Sequence, residues 1–104
     1  MKVQLITFTG CPNTDAAREA LRRSLKLAGL EPVFEEIDST APEAPDQFRE
    51  RGSPTVLIDG EDVAGQGAPT GHSCRLYRDA TGRTFGWPPE SLLLDAIRLA
   101  KRRG

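Results

Sequence analysis

The sequence is poor in metal-binding side chains and contains no long apolar run. Its 104 residues include two cysteines and one histidine, His72. Those three ligands fall short of the roughly four nitrogen or sulfur ligands that a structural zinc site needs. No apolar stretch approaches the roughly 20 residues of a membrane-spanning helix, so we expect no membrane insertion.

Positively and negatively charged residues are also nearly equal in number. The 14 basic and 15 acidic residues leave a formal net charge of -1, which gives no reason to expect a nucleic acid or an anionic membrane as a partner. The first residues, MKVQLITF, lack the basic start and cleavage site of a signal peptide, so we expect a cytoplasmic protein. In that reducing compartment a permanent disulfide between Cys11 and Cys74 is not expected, and such thiols are more often buried, catalytic, redox-active or metal-binding.

What the sequence does contain is a regular alternation of short apolar strands and amphipathic helices. The strands are predicted at residues 3–8, 32–37, 55–58 and 61–64, and the helices at residues 12–28, 45–51 and 89–102. Residues 74–77 and 83–85 could pair as an extra hairpin, or 74–77 could be the fourth strand of the main sheet. The order β-α-β-α-β-β-α and the length together predict a single α/β domain, residues 1–104, with a mixed central sheet.

The joint between the first strand and the first helix carries the candidate nucleophile, Cys11. A helix N-terminus stabilises a thiolate through its free N–H groups and its partial positive charge. We expect Cys11 at the N-cap, with Pro12, Asn13 and Thr14 as the first turn and the Thr14 hydroxyl donating to the sulfur. The alternative is that Cys11 is an inert small residue in a turn.

Two charged residues follow on the first turns of this helix. Arg18 is a candidate cationic neighbour of the thiol, and Asp15 would oppose the thiolate if it faced the sulfur. Asp15 is also the candidate acid if the protein were to cleave a carbon–mercury bond.

Three sequence features together resemble the thioredoxin/glutaredoxin superfamily. They are GCPNT after the first strand, Ser53-Pro54-Thr55 before the third strand, and the Asp59-Gly60 hairpin turn. The resemblance covers residues 1–65 and the last helix, whereas an insert at about residues 66–88 does not match a plain glutaredoxin. The run SPTVLIDG, a Gly/Pro loop and SCRLY also resemble a group of small bacterial thioredoxin-like proteins, some of which are labelled alkylmercury lyase.

The resemblance implies a thioredoxin-like fold and a thiol-disulfide oxidoreductase that needs no cofactor. It places a cis-proline at Pro54 beside the active-site cysteine, although a proline can also simply start a strand. Pro12, Asn13, Ser53 and Pro54 would then line a substrate groove, with a β-edge open to a substrate backbone or a thiol conjugate. The expected partner is therefore a thiol or disulfide substrate.

The sequence departs from a dithiol enzyme at Thr14, which stands where Cys-x-x-Cys has its second cysteine. This resembles monothiol glutaredoxins and leaves three readings of Cys74 open. Cys74 could resolve the reaction of Cys11 from a distance, or the two thiols could bind a soft metal such as Hg(II) or Cu(I), or an organomercurial. In the third reading Cys74 is a buried strand residue that never meets Cys11. A non-catalytic scaffold that acts through protein contacts is the remaining alternative.

Overall fold

The chain folds as an α/β protein with a mixed four-stranded sheet, seen in a computed structural model that describes residues 1–8, 10–42, 53–64, 77–78 and 81–103. The elements in order are β1 (Val3–Thr7), α1 (Thr14–Leu27), β2 (Glu35–Asp38), β3 (Thr55–Ile58), β4 (Glu61–Asp62), β5 (Tyr77–Arg78), β6 (Thr84–Phe85) and α2 (Glu90–Arg103). The predicted helix at 45–51, the loop at 65–71, His72 and Cys74 lie outside the described residues. Within the described part of the chain, neither helix has the length and apolar composition needed to cross a bilayer.

Strand β1 is the centre of the sheet, whose order is β2-β1-β3-β4. β1 runs parallel to β2, with Ile6 opposite Ile37. It runs antiparallel to β3, with Val3 opposite Ile58. Its β-branched and apolar composition suits a strand that is paired on both sides and packed on both faces. The predictions of a buried first strand and of a parallel pair at the start of the chain are confirmed.

A two-residue turn joins β3 to β4. Asp59 has φ of 52° and Gly60 has φ of 84°, and positive φ at both positions defines the turn whose twist matches an antiparallel hairpin. Ile58 pairs with Glu61 across the turn. The Asp59 N–H also donates to the Lys2 carbonyl at 2.7 Å, which ties the turn to the start of β1. The predicted Asp59-Gly60 hairpin is confirmed.

Helix α1 ends in a glycine-based cap, as predicted for Gly29. Gly29 has φ of 79°, a conformation that L-residues with a Cβ rarely adopt. The Gly29 N–H donates to the Lys26 carbonyl at 3.0 Å and the Leu30 N–H donates to the Leu25 carbonyl at 2.9 Å. These two bonds satisfy carbonyls that the end of the helix would otherwise leave unpaired.

Both described helices pack on the same face of the sheet. Their apolar stripes meet the β1 and β3 side chains that point to that face. The buried residues of this core are Val3, Leu5, Ala17, Ala20, Leu21, Leu25, Val56, Ile58, Leu93, Ile97 and Ala100. Two polar contacts join the helices: Arg23 pairs with Glu90, and Lys101 Nζ donates to the Ala28 carbonyl at 2.8 Å.

The opposite face of the sheet carries a smaller apolar cluster. Ile6 and Leu57 are buried there, with Ile37 packed against them. Gln4 lies on the same face, and its side-chain amide donates to the Glu35 carboxylate at 2.9 Å. Because a buried polar group costs free energy unless it is bonded, this pair makes the burial of Gln4 tolerable.

Strands β5 and β6 form a hairpin of their own. Tyr77 pairs with Phe85 and Arg78 pairs with Thr84, and this two-stranded sheet is separate from the main one. The predicted extra hairpin is therefore confirmed. Tyr77 does not join the main sheet, where β4 takes the fourth position.

Truncating one leucine of α2 in the core should unfold the protein far more readily than truncating another at its surface. Leu93 is completely buried and Leu99 is 46% exposed. We expect Leu93→Ala to lower the free energy of unfolding by about 2–5 kcal/mol, because it removes buried methyl groups and leaves a cavity. Leu99→Ala should cost less than about 1 kcal/mol. Urea denaturation measures both values, and equal losses would contradict the packing described for α2.

Candidate functional site

Three segments of the chain meet at the carboxyl end of β1. Thr7 lies opposite Asp38 in β2, and the next residue, Ser39, donates its N–H to the Thr7 carbonyl at 2.7 Å. On the other side Ile6 lies opposite Thr55. Because β3 runs antiparallel to β1, Ser53 and Pro54 come before Thr55 at this same edge. The strand register thus brings the Cys11 turn, the Ser53-Pro54 pair and Ser39 to one end of the sheet.

Cys11 is held in a turn and not at the helix N-cap. Its N–H donates to the Phe8 carbonyl at 3.1 Å, and Gly10 before it has φ of 88°. The N-cap is Asn13, and the first described helical bond runs from the Ala17 N–H to the Asn13 carbonyl at 3.0 Å. The predictions that Cys11 is the N-cap and that Pro12 is the first helical residue are therefore wrong, because a separate turn precedes the helix.

The Thr14 hydroxyl bonds to the backbone of Cys11. Thr14 Oγ1 donates to the Cys11 carbonyl at 3.2 Å, and the Thr14 N–H approaches the same oxygen at 3.5 Å. A hydroxyl has one hydrogen to donate, so the predicted bond from Thr14 to the sulfur is not made. Thr14 fixes the turn that carries Cys11, which is a positioning contact of the kind that threonine makes near helix starts.

The start of α1 has no side-chain cap from Asn13. The Asn13 side chain lies against Gly86 instead: a Cβ added at Gly86 would come within 2.4 Å of Asn13 Nδ2 and 2.7 Å of Asn13 Cγ. The first N–H groups of a helix have no partner within the helix. The Asn13 side chain therefore leaves the positive end of α1 uncapped, one residue beyond the Cys11-Pro12 turn.

Cys11 is a free thiol in a nearly enclosed position. The residue is 8% exposed, and it forms no disulfide. A buried thiol reacts only with molecules that can reach it, so access decides its chemistry as much as the thiolate fraction does.

Two features of the backbone distinguish Pro54: a cis peptide bond before it and a buried hydrogen bond to its carbonyl oxygen. The Ser53–Pro54 bond is cis, as predicted. The Pro54 carbonyl accepts a hydrogen bond from the Tyr77 hydroxyl at 2.5 Å, and Tyr77 is only 3% exposed. The sequence predicts that Pro54 belongs to one wall of the substrate groove. The carbonyl oxygen of Pro54 is already bonded to the hydroxyl of Tyr77, a residue of the hairpin.

Two buried hydroxyls border the same edge without a partner. Within the described part of the chain, Ser39 Oγ and Ser53 Oγ make no hydrogen bond, and each residue is 1% exposed. A buried polar atom left unpaired costs about 1–3 kcal/mol. Hydroxyls of this kind can donate to or accept from a ligand that enters the edge.

The Arg18 guanidinium forms ion pairs with two carboxylates, those of Glu36 and Asp15. Its guanidinium makes three contacts of 2.8–3.1 Å with Glu36 and one of 2.6 Å with Asp15. The hydrogen bond that Arg18 donates to the Glu36 carboxylate is the main reason why the pKa of Arg18 is raised above its ordinary value. The predicted role of Arg18 as a cation for the thiol has no support in these contacts, and Asp15, whose side chain is 92% exposed, pairs with Arg18.

The structure adds residues that sequence reasoning did not select. Tyr77, Gly86 and Ser39 reach the edge through the hairpin and the end of β2, and no local pattern marks them. Of the predicted metal pair, Cys11 is described and Cys74 is not. Among the described residues there is no group of three Cys, His, Asp or Glu that could hold a metal ion.

Comparisons with known proteins give no relative of this chain. It matches no protein-family model, no curated protein and no solved structure.

The contact between Gly86 and Asn13 predicts a coupled pair of substitutions. Gly86→Ala should lower the free energy of unfolding by about 0.5–1 kcal/mol, because the new Cβ collides only with the end of the Asn13 side chain, which must turn away. Asn13→Ala removes the colliding atoms and, since Asn13 makes no capping bond, should be nearly neutral.

The double variant tests the contact itself. In the Asn13→Ala background we expect Gly86→Ala to lose most of its cost, which gives a coupling of about 0.5 kcal/mol in a double-mutant cycle. Thermal or urea unfolding of the four proteins supplies the values. Additive costs would show that Gly86 does not pack on Asn13 in solution.

Proposed function

We propose that the protein is a thioredoxin-like domain that carries out thiol-disulfide chemistry through Cys11. The observation that carries this proposal is the position of Cys11 on the turn between the central strand and an uncapped helix start. The strand register brings the cis Ser53–Pro54 bond to the same edge of the sheet. A nucleophilic thiol benefits from a helix N-terminus, and the Ser53-Pro54 segment before β3, at the same end of the sheet, offers backbone groups to a substrate.

The sheet topology supports the fold assignment. A parallel β1–β2 pair, an antiparallel β3 on the other side of β1 and a final β4 give the order β2-β1-β3-β4. The superfamily that the sequence resembles has this arrangement, with the first and last helices together on one face. In this chain α1 and α2 share one face and one core.

The proposed step is an exchange in which one disulfide replaces another. The Cys11 thiolate attacks one sulfur of a substrate disulfide, the substrate S–S bond breaks, and the second sulfur leaves with the bonding electrons as a thiolate. The product is a mixed disulfide between Cys11 and the substrate. Thr14 holds the Cys11 turn through the Cys11 carbonyl, and Ser53 Oγ is a buried hydroxyl with no other described partner at this edge.

A second thiol completes the cycle in this proposal. Attack by a thiolate on the Cys11 side of the mixed disulfide releases the second half of the substrate as a thiol. Cys74 takes this role as the resolving thiol, because Thr14 replaces the second cysteine of an ordinary Cys-x-x-Cys pair. The net result is reduction of the substrate and oxidation of Cys11 and Cys74 to a disulfide, which an external thiol must then reduce.

The mass of the intact protein after treatment with bis(2-hydroxyethyl) disulfide tests these assignments. We expect the Cys74→Ser variant to accumulate one mixed disulfide at Cys11, and the Cys11→Ser variant to form none under the same conditions. The unchanged chain should instead lose two hydrogens as the intramolecular disulfide forms. Reaction at Cys74 alone, or at neither cysteine, would contradict the proposal.

Treatment with one equivalent of Hg(II) separates the redox proposal from the soft-metal alternative. If the native chain binds mercury through both cysteines but exchanges with no disulfide, then Cys11 and Cys74 form a metal site. If neither reagent reacts with the folded protein, the domain is a scaffold without thiol chemistry.

A further inference from the structure

We propose that the β5–β6 hairpin covers the predicted groove beside Cys11 and restricts the site to low-molecular-weight disulfides. This inference rests on the proposed thiol function and names its substrate class. The sequence alone predicts a groove with a β-edge open to a substrate backbone. The contacts of the hairpin close that edge to a substrate backbone.

The first contact occupies a wall of the groove. Tyr77 Oη donates to the Pro54 carbonyl at 2.5 Å, and this bond is buried. A peptide substrate that added itself to the edge as an extra strand would use backbone groups of this segment. To bind there it would have to displace a buried tyrosine hydroxyl, whose loss leaves a carbonyl without its partner.

The second contact occupies the other wall. Gly86 packs so closely on Asn13 that a Cβ added at Gly86 would have to push the end of the Asn13 side chain aside. Asn13 and Pro54 come from the two segments that were predicted to line the groove, and the hairpin touches both. Tyr77 in β5 therefore contacts the Pro54 side of the groove, and Gly86, the residue after β6, contacts the Asn13 side.

The hairpin is anchored and is not a loosely attached loop. The Phe85 and Trp87 rings lie in a tilted arrangement with centroids 5.7 Å apart, and Trp87 packs against the main core. Arg83 lies over the Phe85 ring at 5.4 Å. These contacts hold β6 next to the start of α2, so opening the cover breaks the buried Tyr77 bond at one end and half-buried ring contacts at the other.

The burial of Cys11 agrees with a size limit. At 8% exposure the residue can meet a small molecule that enters the edge, whereas a folded protein disulfide needs a wide surface around the sulfur. The buried hydroxyls of Ser39 and Ser53, which have no hydrogen bond within the described residues, offer polar contacts to such a small substrate. The step remains the exchange given above, with a small thiolate as the leaving group.

Tyr77→Phe tests the cover, because it removes the hydroxyl and keeps the ring. In the Cys74→Ser background we compare bis(2-hydroxyethyl) disulfide with the same alkyl disulfide attached to a polyethylene glycol chain, measuring mixed-disulfide formation by intact mass. The same two rates are measured in the urea-unfolded chain. Their ratio there gives the slower reaction that the bulk of the polymer causes without any fold. We expect the folded protein to prefer the small disulfide far more strongly than the unfolded chain does.

Loss of the Tyr77 hydroxyl should admit the large reagent. We expect Tyr77→Phe to raise the rate with the polymer disulfide about tenfold, the change that one lost hydrogen bond corresponds to, and to alter the small-disulfide rate by less than about twofold. Val3→Ala is the matched control, since it weakens the core at the far end of β1. An unchanged ratio in Tyr77→Phe, or an equal change in Val3→Ala, would overturn the cover.

Hydrogen exchange over residues 53–58 separates failure of the cover from failure of the proposed function. If Cys11 reacts with neither disulfide, the thiol function and its substrate class are both lost, but the hairpin contact is still measured. We expect exchange in this segment to rise about tenfold in Tyr77→Phe relative to Val3→Ala, because local opening becomes easier. Equal exchange in the two variants would show that the hairpin does not hold the Pro54 edge.

Discussion

The pairing of β1 with a strand on each side is the constraint on which the rest of the structure depends. Because β2 runs parallel to it and β3 antiparallel, the end of one neighbour and the beginning of the other arrive at the same edge. That edge is where the chain turns through Cys11 into α1. The core formed by both helices buries Val3 and Leu5 on one face of β1, so the position of the turn is set by a well-packed element of the protein.

Three contacts within the protein define the site. Thr14 bonds to the backbone of Cys11, Tyr77 bonds to the backbone of Pro54, and Asn13 packs on Gly86. Each contact occupies a group that an open thiol site would offer to a substrate, and in our proposal they together enclose the cysteine. The start of α1, which Asn13 does not cap with its side chain, and two hydroxyls that are unpaired among the described residues remain as groups that a small polar ligand could contact.

The sequence is informative where chemistry is local. The β-branched run of β1, the Asp59-Gly60 turn and Gly29 at the end of α1 each have a short-range physical cause, and each was predictable. The parallel pairing of β1 with β2 followed from the βαβ start. The start of α1 was misplaced by two residues, because Cys-Pro-Asn can form either a turn or a first helical turn. The bond of Tyr77 to Pro54 joins residues 23 apart, and no periodicity encodes where an inserted hairpin docks.

The most direct test of the central claim is the rate at which Cys11 exchanges with a small disulfide in the folded protein, relative to the unfolded chain. The measurement uses the Cys74→Ser variant with bis(2-hydroxyethyl) disulfide at neutral pH, in buffer and in urea. If the fold activates Cys11, the native protein reacts faster than the unfolded chain even though the residue is buried. A native rate below the unfolded rate would show that the fold merely protects a structural cysteine.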